Sequence, residues 1–220
     1  MSPSTGLRFR RDDGPVLREV AEINEELSRT GGRITPLDLS GQPPLIRDLL
    51  DADALDANAS ARLMEHFLLS RPRLLSIIAD AGRTPGVPNG GALETRVLPH
   101  DYTYPQLYQV TGDFDFGKFD AYHRNVSDDG TAVDEILQLL AGGPMRVLHL
   151  TEEGETLHLD AECPSADEGW LLTYGGGTPH SGRFGDARLG SKALVQVIGP
   201  ASWTMDYDVP QGAEPPPWSG

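Results

Sequence analysis

The stretch RVLHLTEEGETLHLDAECPS, residues 146–165, decides the fold expected for this chain. Two short, partly alternating apolar runs, 145–151 and 155–161, flank a polar turn, a pattern typical of two strands joined as a hairpin. Residues i and i+2 of a strand lie on the same face of a sheet. His158 and Asp160 are therefore predicted to project together, as an imidazole beside a carboxylate.

The length of the turn in this hairpin decides whether a second histidine joins that pair. A loop of two residues, 153–154, or of four, 152–155, places His149 opposite His158 on the same face. A loop of three residues shifts the register by one and separates the two side chains. The sequence alone leaves this choice open.

The next informative stretch, YGGGTPHSGRFGDAR at 174–188, places His180 behind a glycine-rich turn. In an antiparallel barrel, a following strand can return such a residue to the first patch. Two histidines and one carboxylate, with three positions left open, form the arrangement that binds non-haem Fe(II), and the same set suits Zn or Mn. His158, Asp160 and His180 are the predicted ligands, with His149 as an additional one.

The wider pattern predicts an α+β chain. After residue 91, short apolar segments bounded by Gly, Pro or Asp recur at the spacing of a sandwich or barrel, interrupted by one predicted helix over 131–140. The 25 Gly and 18 Pro argue against a helical bundle. We expect a helical section (1–91) packed on a β-barrel (92–209) in one compact unit, followed by a disordered tail (210–220).

Charge and composition restrict the expected partners. The formal net charge of −15 repels phosphate backbones and anionic lipid, so neither nucleic acid nor a membrane surface is expected as a partner. The basic cluster of Arg8, Arg10 and Arg11 is expected in a frayed N-terminus that aids solubility. The single cysteine, Cys163, excludes an internal disulfide framework. No apolar run approaches the length of a membrane span, so a cytoplasmic protein is expected.

These motifs resemble those of two related groups of proteins. The His158-x-Asp160 pair followed by His180 is similar to the H-x-D…H triad of Fe(II)/2-oxoglutarate oxygenases. The GGTPH run at 176–180 resembles the second metal motif of cupins. Both families use a double-stranded β-helix, so the resemblance, which covers roughly residues 100–209, implies a cupin-like jelly roll.

The resemblance also implies a function. It suggests a non-haem iron oxygenase that acts on a small molecule with 2-oxoglutarate, whose carboxylate Arg188 would bind, or otherwise Arg183. Only 19 residues separate Asp160 from His180, a spacing that suits a compact cupin better. A metal-dependent cupin isomerase, lyase or dioxygenase without 2-oxoglutarate therefore stays open. A non-catalytic, acidic binding module is the remaining alternative.

The surroundings of the predicted site are less well defined by the sequence. Four residues are candidate walls of a substrate pocket: Tyr104, Tyr122, His123 and Trp170. The breaker-rich segment 82–91 is predicted to be either a linker or a lid over the site. A homodimer is expected only from the resemblance, since cupin barrels often pair.

Overall fold

Two antiparallel β-sheets packed face to face form the body of the molecule in a computed structural model, which describes residues 6–84, 105–111, 121–127, 129–184, 186–200, 203–212 and 218. The strands are β1 (Leu7–Arg11), β2 (Arg33–Asp38), β3 (Gln106–Gln109), β4 (Arg124–Ser127), β5 (Asp134–Ala141), β6 (Met145–Leu150), β7 (Thr156–Ala161), β8 (Glu168–Gly175), β9 (His180–Arg183), β10 (Lys192–Ile198) and β11 (Trp203–Asp206). The helices are α1 (Val20–Leu27), α2 (Pro44–Asp51), α3 (Ala57–Phe67) and α4 (Arg71–Asp80).

The order of the strands defines the architecture. One sheet has four strands in the order β1-β7-β6-β9, the other has five in the order β2-β8-β5-β10-β3, and β11 pairs with β4. All of these pairings are antiparallel. The inner faces share one apolar core, which includes Phe9 and Leu159 of the four-stranded sheet and Leu137 and Leu172 of the five-stranded sheet. This arrangement is compatible with the predicted jelly roll.

Helices α2, α3 and α4 cover the outer face of the five-stranded sheet. Ile46 of α2 and Leu63 of α3 share an apolar cluster with Leu140 of β5. Ile78 of α4 belongs to a second cluster with Ile136 of the same strand. None of the helices within the described residues is both long and apolar enough to cross a membrane.

The helix predicted over 131–140 is wrong, because this segment contains the central strand β5. The strand pairs with β8 on one side and β10 on the other. Its inner face contributes Leu137 to the main core, while its outer face contributes Ile136 to the cluster beneath α4. A strand that is buried on both faces reads as a continuous apolar run, and periodicity alone does not distinguish it from a buried helix.

The N-terminal section is not purely helical. Leu7–Arg11 and Arg33–Asp38 are strands that form an edge of the four-stranded and of the five-stranded sheet, respectively. The expectation of a frayed basic terminus is therefore wrong for β1, where Arg10 is only 5% exposed. The predicted boundary at residue 91 and the strand predicted over 92–98 lie outside the described residues.

The hairpin between β6 and β7 has the three-residue loop. The amide of Thr151 donates to the carbonyl of Glu155 at 2.9 Å, which leaves three residues, 152–154, in the loop. Gly154 adopts a φ of 84°, the left-handed conformation that the last position of such a loop commonly requires.

This loop sets the register of the hairpin. His149 pairs with Leu157, and His158 pairs with Leu148. Since neighbouring positions along a strand point to opposite faces, His149 and His158 lie on opposite faces of the four-stranded sheet. The shared histidine patch that a loop of two or four residues predicts does not form.

The C-terminal tail contacts the barrel at two described places. The amide of Tyr122 donates to Gln211 Oε1 at 3.1 Å, and Gln211 Nε2 donates back to the carbonyl of Tyr122 at 3.2 Å. Further along, the indole of Trp218 lies on the outer face of the four-stranded sheet, with its ring centroid 4.3 Å from that of His158. Gln211 and Trp218 therefore have partners in the barrel, while the disorder predicted for the tail over 210–220 stays a prediction.

The left-handed glycine of the hairpin gives a test of this register. We expect Gly154→Ala to lower the free energy of unfolding by about 1 kcal/mol, because a Cβ is unfavourable at positive φ although no atom lies within 4 Å of its position. Gly41→Ala is the matched control, since its Cβ also meets no atom and its φ is not in the left-handed range. Urea denaturation measures both variants; an equal effect at the two positions would contradict the assigned loop.

Candidate functional site

Three histidines form a row across neighbouring strands on the inner face of the four-stranded sheet. His149 of β6 pairs directly with His180 of β9, and His180 in turn forms a bridge with His123, which precedes β4. The ring centroid of His180 lies 4.5 Å from that of His123 and 6.3 Å from that of His149. All three side chains are at most 2% exposed. We call these three residues the histidine row.

The hydrogen bonds of the histidine row fix the same tautomer in each ring. Each Nδ1 lies beside an oxygen that acts as an acceptor, so Nδ1 carries a proton. In a neutral ring Nε2 then presents its lone pair, whereas a protonated His180 ring donates from Nε2 to Glu135. The acceptors are the carbonyl of Ala121 for His123 at 3.0 Å, the carbonyl of Thr178 for His180 at 2.7 Å and the hydroxyl of Thr30 for His149 at 3.1 Å. The Thr30 hydroxyl donates its own proton to the carbonyl of Leu27, which leaves its oxygen free to accept. Metal-binding histidines are commonly oriented by such bonds.

Burial keeps two rings of the row neutral. It lowers the pKa of His149 to about 3 and that of His123 to about 4, and the charge of the neighbouring His180 acts in the same direction. Both rings are therefore uncharged near pH 7, with a proton on Nδ1 and none on Nε2. A metal that binds at Nε2 displaces no proton from such a ring.

A carboxylate from the opposite sheet faces the row. Glu135 of β5 accepts a hydrogen bond from the hydroxyl of Tyr174 at 2.9 Å on one oxygen, and the other oxygen lies 3.2 Å from His180 Nε2 and within hydrogen-bond distance of the Asn125 amide. Burial alone would raise the pKa of Glu135, but the hydrogen bond and charge of His180 outweigh it, and the pKa is lowered. The carboxylate is therefore ionised inside the barrel.

Two buried atoms beside Glu135 and the histidine row are unsatisfied. His149 Nε2 and Asn125 Oδ1 have no hydrogen-bond partner in the part of the chain that the structure describes. A buried polar atom without a partner costs about 1–3 kcal/mol. Within the same residues, no three His, Cys, Asp or Glu side chains already converge on a common point as metal ligands do. The side chains of the described residues therefore do not form a finished metal cage here.

A cavity of about 40 Å³ lies between the sheets beside these residues. Its polar end is formed by His123, His180, Glu135 and Tyr174. The opposite end is apolar and includes Met145 and Val195.

The predicted ligands His158 and Asp160 lie elsewhere. They project from the outer face of the four-stranded sheet, whereas His180 projects from the inner face. His158 Nε2 donates to Asp160 at 3.0 Å, and that carboxylate also accepts from Arg146 at 2.9 Å and from the indole of Trp218 at 2.6 Å. The prediction of one metal site made of His158, Asp160 and His180 is wrong, because the sheet itself separates the ligands.

Arginines take the place of a metal in this outer group, which we call the outer-face cluster: Arg8, Arg10, Arg146, His158 and Asp160. Arg8 lies 3.3 Å from Asp160, and Arg10 lies 3.5 Å from His158 Nδ1. Burial alone would raise the pKa of Asp160, but the hydrogen bonds from His158 and Arg146 outweigh it and hold the pKa well below its ordinary value. The outer-face cluster is therefore a network of ion pairs and hydrogen bonds around Asp160 that stabilises the fold.

The remaining predicted site residues are divided between the cavity and the surface. Arg183 is among the residues around the cavity, but it pairs with Arg146 and so belongs to the outer face of the sheet. Arg188 is directed outward, with its side chain 63% exposed and 3.2 Å from Glu162. Tyr122 is buried beneath the C-terminal tail, and the indole of Trp170 donates to the carbonyl of Glu162 at 2.9 Å in the core. The structure therefore does not place Arg188 where it would bind a cosubstrate. Tyr104 lies outside the described residues.

Sequence reasoning missed Glu135, Asn125 and Tyr174. Glu135 is in the segment that was expected to be a helix, so its approach to the histidine row was not visible. Asn125 stands two residues after His123, on the same face of one strand, and this H-x-N pair is the signal that was available.

Comparisons with known proteins support the fold. No family model and no curated protein matches the chain. Among solved structures, the chain is similar to acireductone dioxygenase from Bacillus anthracis with a cadmium ion in its active centre, with a TM-score of 0.58 and 11% sequence identity. The match covers 90% of this chain and 96% of that one. At this identity the likeness shows a shared fold, which agrees with the predicted cupin fold.

The structural role of the outer-face cluster leads to a prediction. We expect Asp160→Asn to lower the free energy of unfolding by about 2 kcal/mol, because it removes the buried carboxylate that His158 and the partly exposed Arg8 and Arg146 share. Asp167→Asn is the matched control, since that carboxylate is 55% exposed and bonds only Arg47 at 2.7 Å among the described residues; its loss should cost less than about 1 kcal/mol.

The same substitution should also change the dependence of stability on pH. Because the pKa of Asp160 is lowered on folding, its stabilising contribution is present above the unfolded value of about 4 and is lost as the pH falls further. The difference in unfolding free energy between the wild type and Asp160→Asn should therefore shrink below about pH 4. A difference that stays constant down to pH 2 would contradict the assigned ion pair.

Proposed function

We propose that this chain is a metal-dependent dioxygenase of the cupin type that acts on a small molecule inside the barrel, with Fe(II) as its metal. The proposed ligands are the histidine row and Glu135. The similar solved structure supports this choice, since it is a dioxygenase described with a cadmium ion in its active centre.

The contact between His180 and Glu135 carries the proposal. His180 Nε2 lies 3.2 Å from Glu135 Oε1, while Nδ1 of the same ring already donates to the carbonyl of Thr178. In the neutral tautomer, two electron pairs therefore face each other in a buried site. A positive charge must lie between them, either a proton on Nε2 or a metal ion.

The donor set fits a transition metal. Three imidazoles and one carboxylate suit Fe, Mn, Ni or Zn, and a site of this composition leaves coordination positions open for other ligands. The buried, unsatisfied Nε2 of His149 is the observation that includes this residue in the set. A metal bound here would supply Lewis-acid and redox chemistry to a small molecule in the cavity.

The chain's own residues orient and shield the site. Tyr174 holds Glu135 through its hydroxyl, and the Thr178 carbonyl holds the ring of His180. The apolar end of the cavity limits the access of water to the polar end, which strengthens the electrostatic interactions there. The hydrogen bonds at Nδ1 mean that each ring would present Nε2, and not Nδ1, to a metal.

The role predicted for 2-oxoglutarate receives no support. Its expected anchor, Arg188, is bonded to Glu162 at the surface and is not directed into the cavity. The alternative of a cupin dioxygenase that needs no 2-oxoglutarate is therefore the function that we propose. The substrate, the pairing of two copies and the cytoplasmic location stay predictions.

Metal content tests the proposal directly. We expect the full chain, purified without a histidine tag, to hold stoichiometric metal, and we expect His180→Gln and Glu135→Gln to lose it because each removes a ligand. His158→Gln is the matched control: it is an equally buried histidine of the same sheet, on the outer face. Elemental analysis by mass spectrometry, with circular dichroism to confirm folding, measures all four proteins.

Two results would contradict the proposed site. If a folded His158→Gln variant lost its metal while His180→Gln retained it, the metal site would lie on the outer face of the four-stranded sheet. Absence of metal from the wild-type chain after reconstitution with Fe(II), Mn(II), Ni(II) and Zn(II) would contradict a metal-dependent enzyme.

A further inference from the structure

Trp218 occupies a site on the outer face of the four-stranded sheet that the proposed function does not use. Its indole N–H donates to Asp160 at 2.6 Å, and its ring centroid lies 4.3 Å from that of His158. The guanidinium carbon of Arg10 lies 4.6 Å from the indole ring, and that of Arg8 lies 5.1 Å from it. The indole therefore combines a ring contact, two cation–π contacts and a hydrogen bond to a carboxylate.

The barrel holds this site in place without the indole. Arg8 and Arg146 are the cross-strand neighbours of Asp160, and Arg10 is the neighbour of His158. Asp160 also accepts hydrogen bonds from His158 at 3.0 Å and from Arg146 at 2.9 Å. The outer-face cluster is therefore fixed by the pairing of β1, β6 and β7, and it is formed whether or not the indole is bound.

Trp218 is the outermost layer of this arrangement. It is only partly buried, whereas His158 and Asp160 beneath it are at most 2% exposed. Among the described residues, it belongs to none of the apolar clusters of the barrel. The indole can therefore leave without unpacking the core, and its departure would uncover a preformed site.

The chemistry of the outer-face cluster restricts which molecule fits it. Asp160 is ionised, so it accepts hydrogen bonds and demands a donor from the ligand. Guanidinium groups favour the face of an aromatic ring, and indole is the ring that binds cations best. A flat, electron-rich ring with one N–H group meets both requirements.

We propose that the outer-face cluster is a binding site for small molecules that carry an indole ring, and that Trp218 is a tethered competitor for this site. The inference does not rest on the proposed function, because His180 and His149 project from the other face of the sheet. It gives a role to the buried His158-x-Asp160 pair, which the proposed metal site leaves unused.

Titration of the full chain with indole tests the site. We expect saturable binding to Trp218→Ala, at least about tenfold tighter than to the wild type, in which Trp218 must be displaced first. Benzothiophene has the same fused ring with sulfur in place of the N–H group. It should bind Trp218→Ala about tenfold more weakly than indole does, because it cannot donate to the carboxylate. Isothermal titration calorimetry measures both ligands, and circular dichroism confirms folding.

Two arginines of β1 provide matched variants in the Trp218→Ala background. Arg8→Gln removes a cation–π partner and should weaken indole binding several-fold. Arg11→Gln removes the same charge from the same strand, but Arg11 contacts Glu26 and Glu155 instead. It should leave the affinity for indole unchanged. The two side chains are similarly exposed, at 37% and 47%.

Fluorine NMR tests the exchange in the wild-type chain. The three tryptophans are labelled with 5-fluorotryptophan, and the signal of Trp218 is assigned by its absence from Trp218→Ala. Excess indole should move only this signal, towards the position of free 5-fluorotryptophan. Trp170 and Trp203 are buried in the core, so their signals should stay in place.

Each of four results would overturn the indole site. These are no saturable binding to folded Trp218→Ala, equal binding of benzothiophene, an equal effect of the two arginine variants, and a Trp218 signal that indole does not move. If Trp218→Ala does not fold, the fluorine experiment on the wild type, repeated with benzothiophene and with Arg8→Gln, decides alone. A chain that binds indole but no metal would retain this site and contradict only the proposed function.

Discussion

The register of the β6–β7 hairpin determines what each face of the four-stranded sheet does. Its three-residue loop turns His149 inward, to the histidine row, and His158 outward, to the outer-face cluster. A shift by one residue would turn one of the two strands over, so that either Asp160 of β7 enters the apolar core or His149 of β6 leaves it. The ion pairs of Asp160 on one face and the apolar packing on the other therefore oppose the same slip, and the position of the histidine row depends on both.

Much of the barrel could be predicted from local patterns, and the errors have physical causes. The strands at 145–150 and 156–161 were predicted because two short, partly alternating apolar runs flank a polar turn. The strand β5 was mistaken for a helix, because burial between the core and the helices removes alternation. The residues of β1 were predicted to be a solvated tail. Arg10 is buried instead, because β1 pairs with β7 and Arg10 contacts His158, and no local sequence pattern reveals this pairing.

The candidate site was beyond local reasoning for a related cause. The histidine row joins residues 123, 149 and 180 only through the pairing of three strands, and Glu135 reaches it from the other sheet. His180 was predicted as a site residue because a glycine-rich turn precedes it, and the structure places it in the histidine row; its role as a metal ligand stays a prediction. Whether His149 or His158 shares a face with His180 depends on a one-residue difference in the register of the β6–β7 hairpin. From the sequence alone, His158 and Asp160 were therefore as suitable as ligands as His149.

The proposed function assigns a metal rather than a proton to the space between His180 and Glu135. A proton on His180 Nε2 satisfies that pair of atoms, but the buried Nε2 of His149 stays unsatisfied. A metal ion accepts several lone pairs at once, and it would satisfy His149 as well if the side chains, which do not converge on one point among the described residues, moved together. Each buried atom without a partner costs about 1–3 kcal/mol, and this is the cost that the proposed metal would remove.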